Sequence, residues 1–151
     1  MKTYVCQICG HIAFDEAPVD CPVCGMAIEN FENMPDVIKK PADPDNLNDS
    51  EKKHVPVINV SHECSLNQGD ECIDVHVIIG EISHVMETEH FINFIDVYIN
   101  KKYVTRALFT PKLQYPSAGF HLNVKEGVVS VIGHCNVHGY WRSKVKFSEK
   151  E

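Results

Sequence analysis

"CIDVHVIIG", residues Cys72 to Gly80, alternates along its whole length. Ile73, Val75, Val77 and Ile79 fall on one face and Cys72, Asp74 and His76 on the other, the period of two that marks a half-buried strand. The pattern recurs downstream in "FINFIDVYIN", "YVTRALF", "FHLNV", "VVSVIGH" and "RSKVKF", with Asn-Lys-Lys, Pro, Lys-Glu-Gly and Gly as punctuation. Short strands at this spacing, with no long helical pattern between them, predict an all-β domain built as an antiparallel sandwich.

Upstream of these strands, "VIKKPADPDNLNDSEKK" (Val37 to Lys53) has two prolines, many Asp and Asn, and little that is apolar, so it reads as a linker. The chain therefore divides into a small unit over 1–36, a linker over 37–50 and a sandwich domain over 51–151. A unit as small as the first cannot be held by apolar burial alone and needs a staple. Its charge is distinctive: one Lys against six acidic side chains gives it −5 of the formal −7 of the 151-residue chain. No basic stripe is present, which argues against nucleic acid as a partner. No apolar run has the length of a signal peptide or membrane span, so no membrane partner and a cytoplasmic location are expected.

The staple is legible in "CQICG" and "CPVCG". Cys6 and Cys9 form one Cys-x-x-Cys-Gly turn and Cys21 and Cys24 another, eleven residues on. A two-residue gap lets both sulfurs of a turn reach one ion, and the glycine permits the backbone that aims amides at them. Four thiolates suit iron or zinc equally well. With Tyr4, Phe14 and the "CPVCG" turn the segment resembles a rubredoxin-type iron domain, a one-electron carrier; a structural zinc ribbon is the alternative. His11, just past the first turn, is expected at the surface, since four thiolates already complete a site.

A second set of metal ligands is scattered over the sandwich. His54 stands at the entry to an edge strand, "HVPVI", whose Pro56 suits a strand start. His84 and His90 flank a loop in "GEISHVMETEHFINF", and "CNVHGYW" sets Cys135 and His138 three apart. Four imidazoles and one thiolate would leave an octahedral ion one open position, the mark of a reactive centre.

In this order the motifs "KHVPVI", "H-x5-HFI" and "CNVHGYW" resemble the superoxide reductases, the desulfoferrodoxin and neelaredoxin family, over residues 51–151. The resemblance implies an immunoglobulin-like antiparallel β-sandwich, with iron held by His54, His84, His90, His138 and Cys135, the sulfur lying opposite the open position. It implies one-electron reduction of superoxide to hydrogen peroxide, a rubredoxin-like electron donor and a homodimer. Lys53 would attract the anion, and Glu51 corresponds to a glutamate that occupies the open position in the resting enzyme. Here Glu51-Lys52-Lys53-His54 inserts one lysine more than the family's Glu-Lys-His run, which puts the reach of Glu51 in doubt. The first unit also departs from the two-iron members, which usually end it in adjacent cysteines rather than Cys21-x-x-Cys24.

A non-catalytic electron carrier of cupredoxin or rubredoxin type is the competing function. Cupredoxins add an axial methionine after the Cys-x-x-His loop, where this chain has Gly139, Tyr140 and Trp141. Cys64 and Cys72, around the turn-like "SLNQGDE", are expected to be free thiols in a reducing cell. His62, His76, His121 and His134 belong to no matching motif and are read as non-ligands, His134 pointing away from the neighbouring Cys135.

Overall fold

The computed structural model describes residues 1–64, 66 and 72–148. The turn expected over Ser65 to Glu71 lies almost wholly outside the described residues.

Eleven strands and one short α-helix are described. The first unit holds β1 (Thr3–Cys6), β2 (Ile12–Phe14) and β3 (Phe31–Asn33), a sheet in the order β2-β1-β3. The strand β4 (Ile38–Lys39) and the helix α1 (Asp49–His54) follow. The sandwich pairs β5 (Pro56–Ser61), β6 (Cys72–Ile79) and β9 (Ser117–Asn123) in one sheet, order β5-β6-β9. Its second sheet, in the order β4-β11-β10-β7-β8, adds β7 (Ile92–Ile99), β8 (Lys102–Leu108), β10 (Gly127–Cys135) and β11 (Gly139–Phe147).

The inward face of β6 is realised as expected, while Cys72 on the other face is also buried. Ile73, Val75, Val77 and Ile79 are buried between the sheets against Ile95, Val97, Val129 and Val131, while His76 is exposed. Each such side chain contributes about 1.5–3 kcal/mol, and a one-residue slip would forfeit all four. Pro56 opens an edge strand, where its missing N–H costs no ladder bond.

Strand β10 is apolar on both faces, and its second face explains where the first unit sits. Val129, Val131 and Cys135 turn into the sandwich, whereas Ile132, with Phe94, Tyr98 and Tyr140, packs against Val5, Ile12 and Phe14 of the first unit. The five-stranded sheet is thus covered on both sides.

A buried polar group fastens this contact. Asp96, 1% exposed, accepts hydrogen bonds from Arg106 Nε (2.5 Å) and Nη2 (2.8 Å) and faces His11 Nδ1 at 3.0 Å. Arg106 Nη1 donates to the Cys9 carbonyl at 2.9 Å, and the Tyr140 hydroxyl donates to that of Gly10 at 2.7 Å. His11 is therefore buried rather than at the surface, because it supplies one of the partners that a buried carboxylate requires.

The segment between the units is tied down at both ends. β4 pairs in parallel with β11, Ile38 opposite Tyr140 and Lys39 opposite Trp141. α1 begins with a capping box, in which Asn48 Oδ1 accepts from the Glu51 N–H and Glu51 Oε1 accepts from the Asn48 N–H, both at 2.9 Å.

Candidate metal centre

Three structural devices bring the scattered histidines together. α1 delivers His54 from its last turn, and Gly80 lets that turn approach closely. At φ +92 a Cβ on Gly80 would stand 2.7 Å from the Lys53 carbonyl oxygen. The loop after β6 carries His84 and His90, and the tight connection from β10 to β11 carries Cys135 and His138.

That connection also grips the loop. Asn136 Oδ1 accepts from the Phe91 N–H at 2.9 Å, its Nδ2 donates to the Glu89 carbonyl at 3.1 Å, and its own N–H donates to the Phe91 carbonyl at 3.1 Å. Asn136 thereby holds His90 in register with Cys135. Sequence reading passes over it, although an amide inside a Cys-x-x-His turn is a natural bridge to neighbouring backbone.

The four imidazoles close into a ring. Successive centroids lie 4.8 Å (His54–His84), 4.7 Å (His84–His90), 5.0 Å (His90–His138) and 4.7 Å (His138–His54) apart, with 6.3 Å across from His54 to His90. Cys135 Sγ stands 3.4 Å from His84 Nε2 and 3.7 Å from His138 Nδ1, and the His138 N–H donates to it at 3.4 Å. The donor atoms of His54, His90, Cys135 and His138 lie within 4.8 Å of one another, and His84 joins them through its approach to Cys135. Cys135 is fully buried while His90 and His138 are half-buried, so solvent reaches the group from the imidazole side rather than the sulfur side.

Second contacts prepare these groups to bind. His54 Nδ1 is 2.7 Å from the Ser50 carbonyl and His84 Nδ1 is 2.6 Å from that of Val85. Donation there leaves each Nε2 as a free lone pair. The Nε2 atoms of His54 and His90 are buried without a hydrogen-bond partner, a cost that proteins seldom bear unless something else fills the site. Burial pushes the His84 imidazole down to about 4, with the neighbouring imidazoles acting the same way and the Val85 carbonyl opposing. Burial likewise lowers His54 and His138, with His90 and Lys39 adding to it in both. Imidazole nitrogens and a cysteine sulfur are the donor set of a transition metal.

Lys53 is exposed. Lys39, paired beside Trp141, lies over that indole at 5.6 Å, and Trp141 stacks on His54 at 5.0 Å. Sequence reading leaves Lys39 in a linker. Glu51 is 8% exposed, and its carboxylate accepts from the N–H groups of Asn48 and Ala42 (2.9 and 3.3 Å). It serves the helix start. His134 faces away from the ring, with Nδ1 2.9 Å from Asn93 Oδ1 and its ring stacked on Phe94.

The four-cysteine group is equally compact. Cys6 and Cys24, and Cys9 and Cys21, have their sulfurs 3.6 Å apart, close to the edge of a tetrahedron with metal–sulfur bonds of about 2.3 Å. Gly10 (φ +80) and Gly25 (φ +79) donate to the carbonyls of Cys6 and Cys21 at 2.8 Å, the turn that "Cys-Gly" foretells.

Cys64 and Cys72 depart from expectation. They form a disulfide, since the end of β5 and the start of β6 set their Cα atoms 5.7 Å apart, within bridging distance.

Fold and site together define a non-haem metalloprotein, with four histidines and a cysteine gathered in a β-sandwich and a four-cysteine group beside it. The chain belongs to the desulfoferrodoxin family, which it matches over residues 46–144, and residues 4–32 match the rubredoxin-like domain of rubrerythrin. It is 31% identical over 147 residues to a desulfoferrodoxin homologue of Archaeoglobus fulgidus, covering 95% of this chain and 96% of that one. It is 33% identical over 114 residues to a superoxide reductase of Pyrococcus furiosus (62% and 87% of the two chains). A neelaredoxin-type superoxide reductase of Archaeoglobus fulgidus, solved in the reduced form, superposes with a TM-score of 0.57 at 29% identity, covering 70% of this chain and 96% of that one.

Proposed function

We propose that this protein is a superoxide reductase whose iron is held by His54, His84, His90, His138 and Cys135. The observation that carries the reading is the closed ring of four imidazoles over one buried thiol, with two Nε2 atoms left unpartnered. Iron held by these residues would supply one electron to a small ligand, and electron density from the Cys135 sulfur would favour that transfer.

The chain's own residues do the rest. The reaction O2•− + e− + 2H+ → H2O2 consumes an anion, so positive charge at the mouth raises its capture. Lys39 and Lys53 serve this role, Lys39 from a fixed strand and Lys53 from an exposed helix end. The His138 N–H on Cys135 Sγ withdraws density from sulfur and tunes the potential. With Glu51 engaged at the helix start, its carboxylate would not compete with substrate for iron held by the ring. Electrons come from a rubredoxin-like carrier, the four-cysteine group itself holds iron or zinc, and two copies pair as a homodimer in the cytoplasm. No described helix is long and apolar enough to cross a membrane.

The test is a rapid mixing of anaerobically reduced protein with superoxide. Stoichiometric oxidation of one iron per chain, with hydrogen peroxide formed and no oxygen evolved, is the expected result. A protein that exchanges electrons with carriers but is inert to superoxide would instead be an electron carrier.

A further inference from the structure

A third group of ligands lies on the opposite sheet. Cys64, Cys72, Asp74 and His121 bring their sulfur, oxygen and nitrogen atoms within 4.8 Å of one another. Their convergence follows from strand geometry. Cys72 and Asp74 are two apart on β6 and so share its outer face. His121 of β9 is the direct cross-strand partner of Asp74, and Ser61 of β5 is its partner on the other side, with Cys64 just beyond. His121 Nδ1 faces both Asp74 Oδ1 at 2.6 Å and Cys64 Sγ at 4.0 Å. A cavity of about 310 Å³ lined by Leu66, Cys72, His121 and Asn123 opens beside them.

A disulfide alone requires neither the imidazole nor the carboxylate. Two thiolates, one imidazole and one carboxylate make a tetrahedral set for a borderline-soft divalent ion. The four-cysteine group shows the sulfur spacing such an ion needs, 3.6 Å. Once the S–S bond is broken, Cys64, in a partly exposed loop, has only a short distance to move to reach it. We propose that Cys64, Cys72, Asp74 and His121 form a redox-gated metal site, which holds one zinc-type cation when the two cysteines are thiols and expels it when they join.

The chemistry balances in both directions. A dithiol reductant takes the S–S bond to two thiols and is itself oxidised to a disulfide. Two thiols and Zn2+ then give the zinc dithiolate and two protons. In reverse, the zinc dithiolate, hydrogen peroxide and two protons give the disulfide, Zn2+ and two waters. Each sulfur loses one electron, and the peroxide O–O bond takes up both. In sequence the four residues form no motif, because two strands and a loop contribute them.

The test uses the full-length protein with both other metal groups filled. One sample is reduced with a phosphine and freed of it without air, a second is oxidised with stoichiometric peroxide, and free thiols are counted in each. Each then receives two equivalents of Zn2+ and is desalted for zinc and iron analysis. The reduced sample should show two more thiols than the oxidised one before zinc is added, and should retain one more zinc with no loss of iron. Peroxide should release that zinc. His121→Ala, a half-exposed position that leaves the core intact, and Asp74→Asn should each weaken retention at least about tenfold in competition with a chromophoric chelator, by the loss of one ligand. Equal zinc in the two redox samples, zinc gained only as iron is lost, no thiol difference, or an unchanged affinity in His121→Ala would each overturn the proposal.

Discussion

Cys135 brings a sulfur to the histidine-ringed group, and a serine there tests its role directly. Cys135→Ser removes the sulfur donor but little volume, so the ferric site should lose its sulfur-to-metal absorption, as a visible spectrum will show, while the metal content of the four-cysteine group is unchanged. Charge at the mouth is a separate matter. A unit charge several ångströms from an anion in water is worth roughly 0.5–1 kcal/mol, so Lys39→Ala should slow superoxide capture about two- to fivefold and flatten its salt dependence. Lys53→Ala should act in the same direction, and an unchanged second-order rate at low ionic strength in both variants would remove steering from the account. Lysines also show where sequence reading stops. Lys53 is visible because it adjoins a histidine in a motif, whereas Lys39 is placed by a two-residue parallel pairing with β11 that no local pattern encodes.

At the scale of elements, the turn between β10 and β11 and the loop after β6 form one mechanical unit through Asn136. Removing the two side-chain hydrogen bonds of that grip with Asn136→Ala, which keeps the backbone one, should cost about 1–3 kcal/mol for the stranded backbone groups. It should weaken iron retention more than global stability, which chelator competition and denaturant unfolding can separate. Gly133 sets a different limit, since a Cβ there would meet Ile79 Cδ1 at 2.8 Å. Gly133→Ala should therefore destabilise the sandwich by about 1–3 kcal/mol through overpacking, read as a shift in unfolding midpoint. The strands themselves are legible because period-two alternation is a local signal, and "CIDVHVIIG" shows every inward residue correctly. The short helix α1 is not, since six polar residues after a proline-rich stretch look like more linker until the cap of Asn48 and Glu51 is seen.

For the whole molecule, the join between the four-cysteine unit and the sandwich rests on Asp96. Breaking a buried ion pair by removing one charge typically costs about 3–5 kcal/mol, so Asp96→Asn, which leaves Arg106 without its carboxylate, should lower stability by about that amount. It should also expose the four-cysteine unit to proteolysis before the sandwich unfolds, which limited digestion followed by mass spectrometry will reveal. The two-sided apolar run "VVSVI" hints that this sheet is covered twice, but the burial of His11 is hidden from sequence because its partner lies 85 residues away. Strand β11 links the two ends of this arrangement: Tyr140 reaches Gly10 on one face, and on the other Trp141 lies against His54. Adjacent positions on one ribbon therefore serve opposite masters. Adding a single amino acid between Gly139 and Tyr140 would swap their sides, and both prosthetic groups should fail together, so this point in the gene should accept exchanges of residue far more readily than changes of length.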